Sequence, residues 1–127
     1  METARMRLGK MGEDIACDFL KEKGHRILER NWRSGHLEVD IISLASDGLH
    51  FVEVKSRVAP VSALPEENVG PTKQKKIAAA ANRYLHSKDF YELCGDFETH
   101  FDVFSVIFEG ERTEVTYFPD AYIPIYT

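Results

Sequence analysis

The 127-residue chain has no apolar run long enough to cross a bilayer. Its opening segment, METARMRLGK, is polar and lacks the hydrophobic stretch of a secretory leader. No membrane partner is expected, and a cytoplasmic location is the default reading. Cysteine is nearly missing: Cys17 and Cys94 have neither metal-ligand spacing nor a plausible disulfide framework. There are no repeats, no low-complexity segments and no composition break, so one domain over residues 1–127 is expected. Positive charge is not in excess either. The net charge of −5 excludes a protein coated in positive charge. The distribution is uneven: residues 1–88 hold 15 Lys and Arg against 12 Asp and Glu, whereas residues 89–127 hold Arg112 alone against nine acids. A mildly basic body beside an acidic end is compatible with a nucleic-acid binder with a local contact face, but on charge alone plain surface variation is the favoured reading.

What is present is ordinary globular composition, 43% hydrophobic and 29% charged, enough to build a core without covalent staples. Residues 5–23 read as an amphipathic helix, with Leu8, Met11, Gly12, Ile15, Ala16 and Phe19 on one face and Gly24 as the stop. Glu13 sits at the edge of that face, where the helix dipole also favours a carboxylate. Gly12 beside it leaves room for a close backbone approach. His25–Arg33 reads as a strand with Ile27 and Trp32 inward, Trp32 offering either a core ring or a stacking surface for a base. Residues 58–72 hold three of the five prolines and read as a long loop, of the kind that is usually functional or mobile. Thr72 is placed to cap a helix over Lys73–His86, whose inward stripe is Gln74, Ile77, Ala78, Ala81, Tyr84 and Leu85. Asp89–Gly95 is a short helix or irregular, and Phe101–Phe108 and Thr113–Phe118 form a strand pair about Glu109–Arg112. A right-handed crossover through the second helix makes Phe101–Phe108 parallel to a strand of the preceding hairpin. The expected architecture is α/β, a mixed sheet with helices packed on it.

That hairpin is the centre of the reading. Leu37–Leu44 and Leu49–Lys55 flank Asp47-Gly48, a favoured dipeptide for a two-residue turn. With Asp47 and Gly48 as the turn, Asp40 faces Lys55, Ile42 faces Glu53 and Glu38 faces Arg57. Glu38, Asp40, Glu53, Lys55 and Arg57 then share one side with Ile42, Leu44 and Phe51, while Val39, Ile41, Val52 and Val54 share the other. Asp40 and Glu53 become diagonal neighbours able to share a cation. Because both sides are apolar enough to be covered, these charges need partners.

Two acids beside one lysine leave negative charge that Mg²⁺ or Mn²⁺ would neutralise through oxygen ligands. No Cys or His stands near these acids in the sequence, which disfavours zinc there. The chemistry that needs this set is metal-assisted phosphodiester hydrolysis. Asp40 and Glu53 are the expected metal ligands, with the Val54 carbonyl a further one and Glu13 either completing the shell or holding a water ligand. Lys55 is expected to orient the attacking water or stabilise phosphate charge. Gln74 is expected to aim at the same site. Arg33, Arg57, Lys73, Lys75 and Lys76 are the candidate nucleic-acid contacts.

Asp40 with Glu53-Val54-Lys55 resembles the PD-(D/E)xK nuclease signature, with Val39 where the literal motif has proline. The wider pattern, Gly9…Gly12-Glu13…Ala16…Phe19-Leu20, Asn31-Trp32-Arg33, Glu38–Ile42, Phe51–Arg57, Lys73-Gln74 and Phe101–Val103, resembles the bacterial YraN-like family of uncharacterised, endonuclease-like proteins over nearly the whole chain. His36 before Leu37-Glu38 and His100 before Phe101-Asp102 depart from the usual pattern, and neither removes an expected ligand. The resemblance implies a restriction-endonuclease-like fold of order αβββαββ, similar to archaeal Holliday-junction resolvases, with Glu13, Asp40, Glu53, Lys55 and Gln74 at the site.

The leading expectation is a Mg²⁺-dependent DNA endonuclease acting on branched or recombining DNA. The rival is a nucleic-acid-binding protein that keeps the fold without turnover, and a metal-stabilised structural domain is a third reading. A homodimer aligning two basic faces would answer the acidic net charge.

Overall fold

A computed structural model describes residues 2–60, 69–91 and 95–123. Helix α1 (Ala4–Glu22) starts at Thr3, whose hydroxyl accepts the Met6 N–H at 3.1 Å, and ends before Gly24, whose φ of +93° only glycine takes easily. Strands β1 (Arg26–Ser34), β2 (Leu37–Ala45) and β3 (Gly48–Val58) follow as an antiparallel meander. Helix α2 (Pro71–Leu85) and the short α3 (Lys88–Tyr91) precede β4 (Thr99–Glu109) and β5 (Arg112–Phe118). The sheet order is β1-β2-β3-β4-β5, with β4 parallel to β3 as the crossover requires and every other pair antiparallel. No helix among the described residues is long and apolar enough to cross a membrane.

The helices cover opposite faces of the sheet. Ala16, Cys17 and Leu20 of α1 pack with Ile41, Val52, Phe104 and Val106. Ile77, Ala80, Ala81 and Tyr84 of α2 pack with Leu37, Val39, Ile42, Phe51 and Val103. Small residues bring each helix close. A Cβ on Gly12 would run into the Ser56 hydroxyl of β3, so only glycine lets α1 settle at this depth.

Several local expectations change. Met11 is exposed, and Cys17 takes its place in the buried stripe. Pro71, not a residue after Thr72, opens α2; Gly70 is the cap and no side chain serves there, because proline at the first position leaves one fewer N–H to satisfy. Trp32 is no open stacking surface: its ring meets Tyr84 edge-on at 5.2 Å and its indole N–H donates to Asp89 at 3.0 Å, tying β1 to α2 and α3. Cys94, most of the 58–72 loop and the last four residues lie outside the described residues.

The hairpin register also differs. Ala45 pairs with Gly48 and Leu44 with Leu49, so Ser46 and Asp47 form the turn and every partner shifts by two. The reason is long-range. Gly48 has φ +136°, and a Cβ there would strike the Glu98 carbonyl, which accepts the Leu49 N–H at 2.8 Å. The glycine makes room for the start of β4, not for a turn.

Candidate functional site

The β2–β3 ladder stops at Ile41–Val52. Beyond it the strands part, and the Val54 N–H donates to the Asp40 carboxylate at 2.8 Å instead of to a strand carbonyl. On the other side of β2, Asn31 lies opposite Asp40 with φ +52°, a left-handed conformation that asparagine tolerates better than most residues. Regular alternation fails at this point of β2. Val39 packs in the α2 core, Ile41 in the α1 core and Ile42 again in the α2 core. The expected single face bearing Asp40 and Glu53 together is therefore not what forms.

Asp40 lines a cavity of about 450 Å³ under α1, with Arg5, Gly9, Glu13, Ser56 and Arg57. Glu13 accepts from the Asn31 side-chain amide at 2.9 Å and lies 3.7 Å from the Arg30 guanidinium. The Ser56 hydroxyl, in the same cavity wall, is buried without a hydrogen-bond partner. Glu53 projects toward α2 and pairs with the Lys73 ammonium at 2.8 Å. Lys55 follows Glu53 on that side, since the β3–β4 register is unbroken from Leu49 to Val58. It is level with Ser105, whose hydroxyl is also buried and unpartnered. The site thus straddles the fork, with Glu13 and Asp40 on the α1 side and Glu53 and Lys55 on the α2 side. The oxygens of Glu13, Asp40 and Glu53 do not converge to within 4.8 Å as a set of three.

The electrostatics mark Asp40. Burial, reinforced by the negative charge of Glu53 and then of Glu13 and Glu38, pushes its carboxyl up to about 7, against the opposing pull of the Val54 N–H. On the other side of the fork the hydrogen bond to Glu53 raises the Lys73 ammonium above its usual value, outweighing partial burial. A buried acid surrounded by acids is short of positive charge, and a cation is what such oxygen donors accept. These oxygen donors are of the chemical type that Mg²⁺ or Mn²⁺ takes, but Glu53 is held by Lys73 and the three carboxylates stand apart.

The remaining expected residues are spread around this fork. The Gln74 amide donates to the Val69 carbonyl at 2.7 Å, securing the entry to α2. Lys75 and Lys76 are exposed on the same helix. Arg33 is solvent-facing, 3.5 Å from Glu38.

A second polar cluster, at the turn end of the sheet, has no counterpart in the sequence reading. Asp102 is fully buried; it accepts the Tyr117 hydroxyl at 2.5 Å and the Asp120 N–H at 2.9 Å, and lies 2.6 Å from His50 Nδ1. His50 Nε2 lies 2.7 Å from Asp47, and the His50 and His100 rings stack at 4.5 Å. Burial works to lower the His50 imidazole, but its bonds to Asp102 and Asp47 outweigh it and hold the ring above its usual value. The signal was available: a His-Phe dipeptide stands near the start of both β3 and β4, and a parallel pair aligns His50 with His100.

Comparison with known proteins agrees on the family. A family model described as "Uncharacterised protein family UPF0102" matches residues 12–106. A UPF0102 protein of Syntrophus aciditrophicus is 38% identical over 120 residues, covering 94% of this chain and 91% of its own. One from Syntrophotalea carbinolica is 39% identical over 122 residues, 96% of both chains. One from Clostridium perfringens is 36% identical over 124 residues, covering 96% of this chain and 98% of its own. Among solved structures, Pyrococcus furiosus SfsA in complex with Ca²⁺ is similar at a TM-score of 0.41 and 18% identity, with 88% of this chain and 62% of that chain covered. This chain spans less than two thirds of SfsA.

Proposed function

The chain belongs to the uncharacterised family UPF0102, the YraN-like family its motifs resemble, and for it we propose a metal-dependent nuclease that hydrolyses DNA phosphodiester bonds on a restriction-endonuclease-like fold. The observation that carries the reading is Asp40. It is a carboxylate buried at the parting of two strands, pushed up to about 7 by burial and neighbouring acids, and facing a cavity it shares with Glu13. Perturbed carboxylates in clefts are characteristic of catalytic sites. Asp40, Glu53 and Glu13 would hold Mg²⁺ or Mn²⁺. When bound, the cation would polarise a phosphate oxygen and lower the pKa of a bound water. Lys55 would hold that water in line and oppose the charge growing on the phosphate. The Val54 N–H fixes the Asp40 carboxylate so that its second oxygen is left for the cation. Arg57 at the cavity wall, with Lys73, Lys75, Lys76 and Arg33, would take the DNA backbone. A homodimer would double that basic surface, which suits branched DNA.

The Lys73–Glu53 pair favours a second reading, a DNA-binding protein whose site is closed by its own lysine. One experiment separates them. The chain is incubated with Mg²⁺ or Mn²⁺ and single-stranded, duplex, flap and four-way-junction DNAs, beside Asp40→Asn. Cleavage by the native chain that the variant loses while still binding DNA is the expected result. Binding without cleavage under either metal rejects the nuclease.

A further inference from the structure

We propose that Asp47, His50 and His100 form a second cation site, of the zinc class, at the turn end of the sheet and independent of the carboxylates around Asp40. Their ligand atoms all lie within 4.8 Å of one another, the one such set of three among the described residues. His50 Nε2 is 2.7 Å from one Asp47 oxygen, and His100 Nε2 is 3.9 Å from the other. The decisive feature is what stands behind each ring. His50 Nδ1 faces the buried Asp102 carboxylate at 2.6 Å, and His100 Nδ1 faces Asp120 at 2.7 Å. A carboxylate on Nδ1 makes that nitrogen the N–H donor and leaves the Nε2 lone pair for a metal, the pairing that orients ligating histidines. Here it occurs twice, with both Nε2 atoms turned to Asp47: His50 Nε2 meets its carboxylate at 2.7 Å and His100 Nε2 donates to its backbone carbonyl at 2.9 Å, so a cation would take the place of a proton on each ring.

The site is held from three directions. Asp47 comes from the β2–β3 turn, and the two histidines from adjacent parallel strands whose register puts them side by side. Asp102 is itself fixed by Tyr117 and by the Asp120 N–H. Two imidazoles and a carboxylate suit Zn²⁺ and its transition-metal neighbours; Mg²⁺ and Ca²⁺ prefer all-oxygen shells. The exposed Glu98 carboxylate, 3.8 Å from His100 Nε2, is the nearest candidate for a fourth ligand, with water the alternative. Asp47 is more than half exposed, so the cation has a route in. A metal here would tie the hairpin turn to the head of β4 and to the chain following β5.

The test uses the full chain, stripped with EDTA, dialysed and titrated with Zn²⁺ by calorimetry, with a parallel melting curve. One Zn²⁺ per chain and a raised melting temperature are expected, with uptake undisturbed by a large excess of Mg²⁺. Asp47→Asn and His100→Gln should each weaken binding tenfold or more. Asp120→Asn, which alters no ligand atom, should weaken it by about 10- to 100-fold. Asp40→Asn should leave it intact. His50 is packed among acids and its replacement endangers folding, so the exposed Asp47 carries the test. Absence of stoichiometric Zn²⁺ uptake, displacement by Mg²⁺, or uptake unchanged in both Asp47→Asn and His100→Gln overturns the proposal and leaves the cluster a hydrogen-bonded latch.

Discussion

Replacing Asp40 by asparagine should make the protein more stable, and by an amount that depends on pH. The carboxyl is raised from 3.8 to about 7, first by burial and then by Glu53. Between those two values the unfolded chain has lost this proton while the folded chain keeps it. The folded state therefore binds more protons, and stability falls as pH rises through the window, levelling above about pH 7. Roughly three pKa units at about 1.4 kcal/mol each set a ceiling near 4 kcal/mol, and relaxation around a half-open fork reduces this to about 2–4 kcal/mol. Asparagine resembles the protonated acid and still accepts the Val54 N–H, so the variant lacks the penalty. Urea unfolding of both proteins, without divalent metal, should give equal stabilities near pH 4 and a gap of that size at pH 8. A gap that stays constant from pH 4 to 8 would refute the reasoning, because a packing effect does not titrate. Stability gained at the cost of activity is what a functional site predicts.

Other perturbations test the frame. Gly12→Ala should destabilise by about 1–3 kcal/mol despite alanine's better helix propensity, because the new methyl meets the Ser56 hydroxyl; adding Ser56→Ala should recover part of the loss in the same denaturant titration. Tyr117→Phe should cost about 1.5–3 kcal/mol in unfolding free energy, since it withdraws a donor from the fully buried Asp102 carboxylate. Lys73→Met should strengthen Mn²⁺ binding while weakening DNA retention, because the ammonium it removes occupies Glu53; unchanged Mn²⁺ affinity would mean that Lys73 does not guard the site.

Much of this architecture is legible in the residues. The β-branched runs announce five strands, the crossover helix makes β4 parallel to β3, and Gly12 signals the close approach of α1. What was not legible depends on contacts far apart in sequence. Asp47-Gly48 looks like a turn dipeptide, but Gly48 answers to the Glu98 carbonyl some fifty residues on. Alternation along β2 places Val39 with Ile41, yet Asn31 in a left-handed conformation breaks the pleat opposite Asp40 and sends them to different cores. Local periodicity carries no trace of that break. Alternation therefore puts Asp40 and Glu53 on one face of the hairpin, whereas Asp40 lines the cavity under α1 and Glu53 pairs with Lys73 of α2. The histidine cluster escaped notice because it exists only once β3 and β4 are aligned.

The most direct test of the central claim is Mn²⁺ binding at pH 8, read by electron paramagnetic resonance of the free ion. The native chain should take up Mn²⁺ in a site that Asp40→Asn and Glu53→Gln each abolish and that Asp47→Asn leaves untouched. Mn²⁺ uptake indifferent to Asp40, or none at all, would contradict a metal centre at the fork and with it the nuclease.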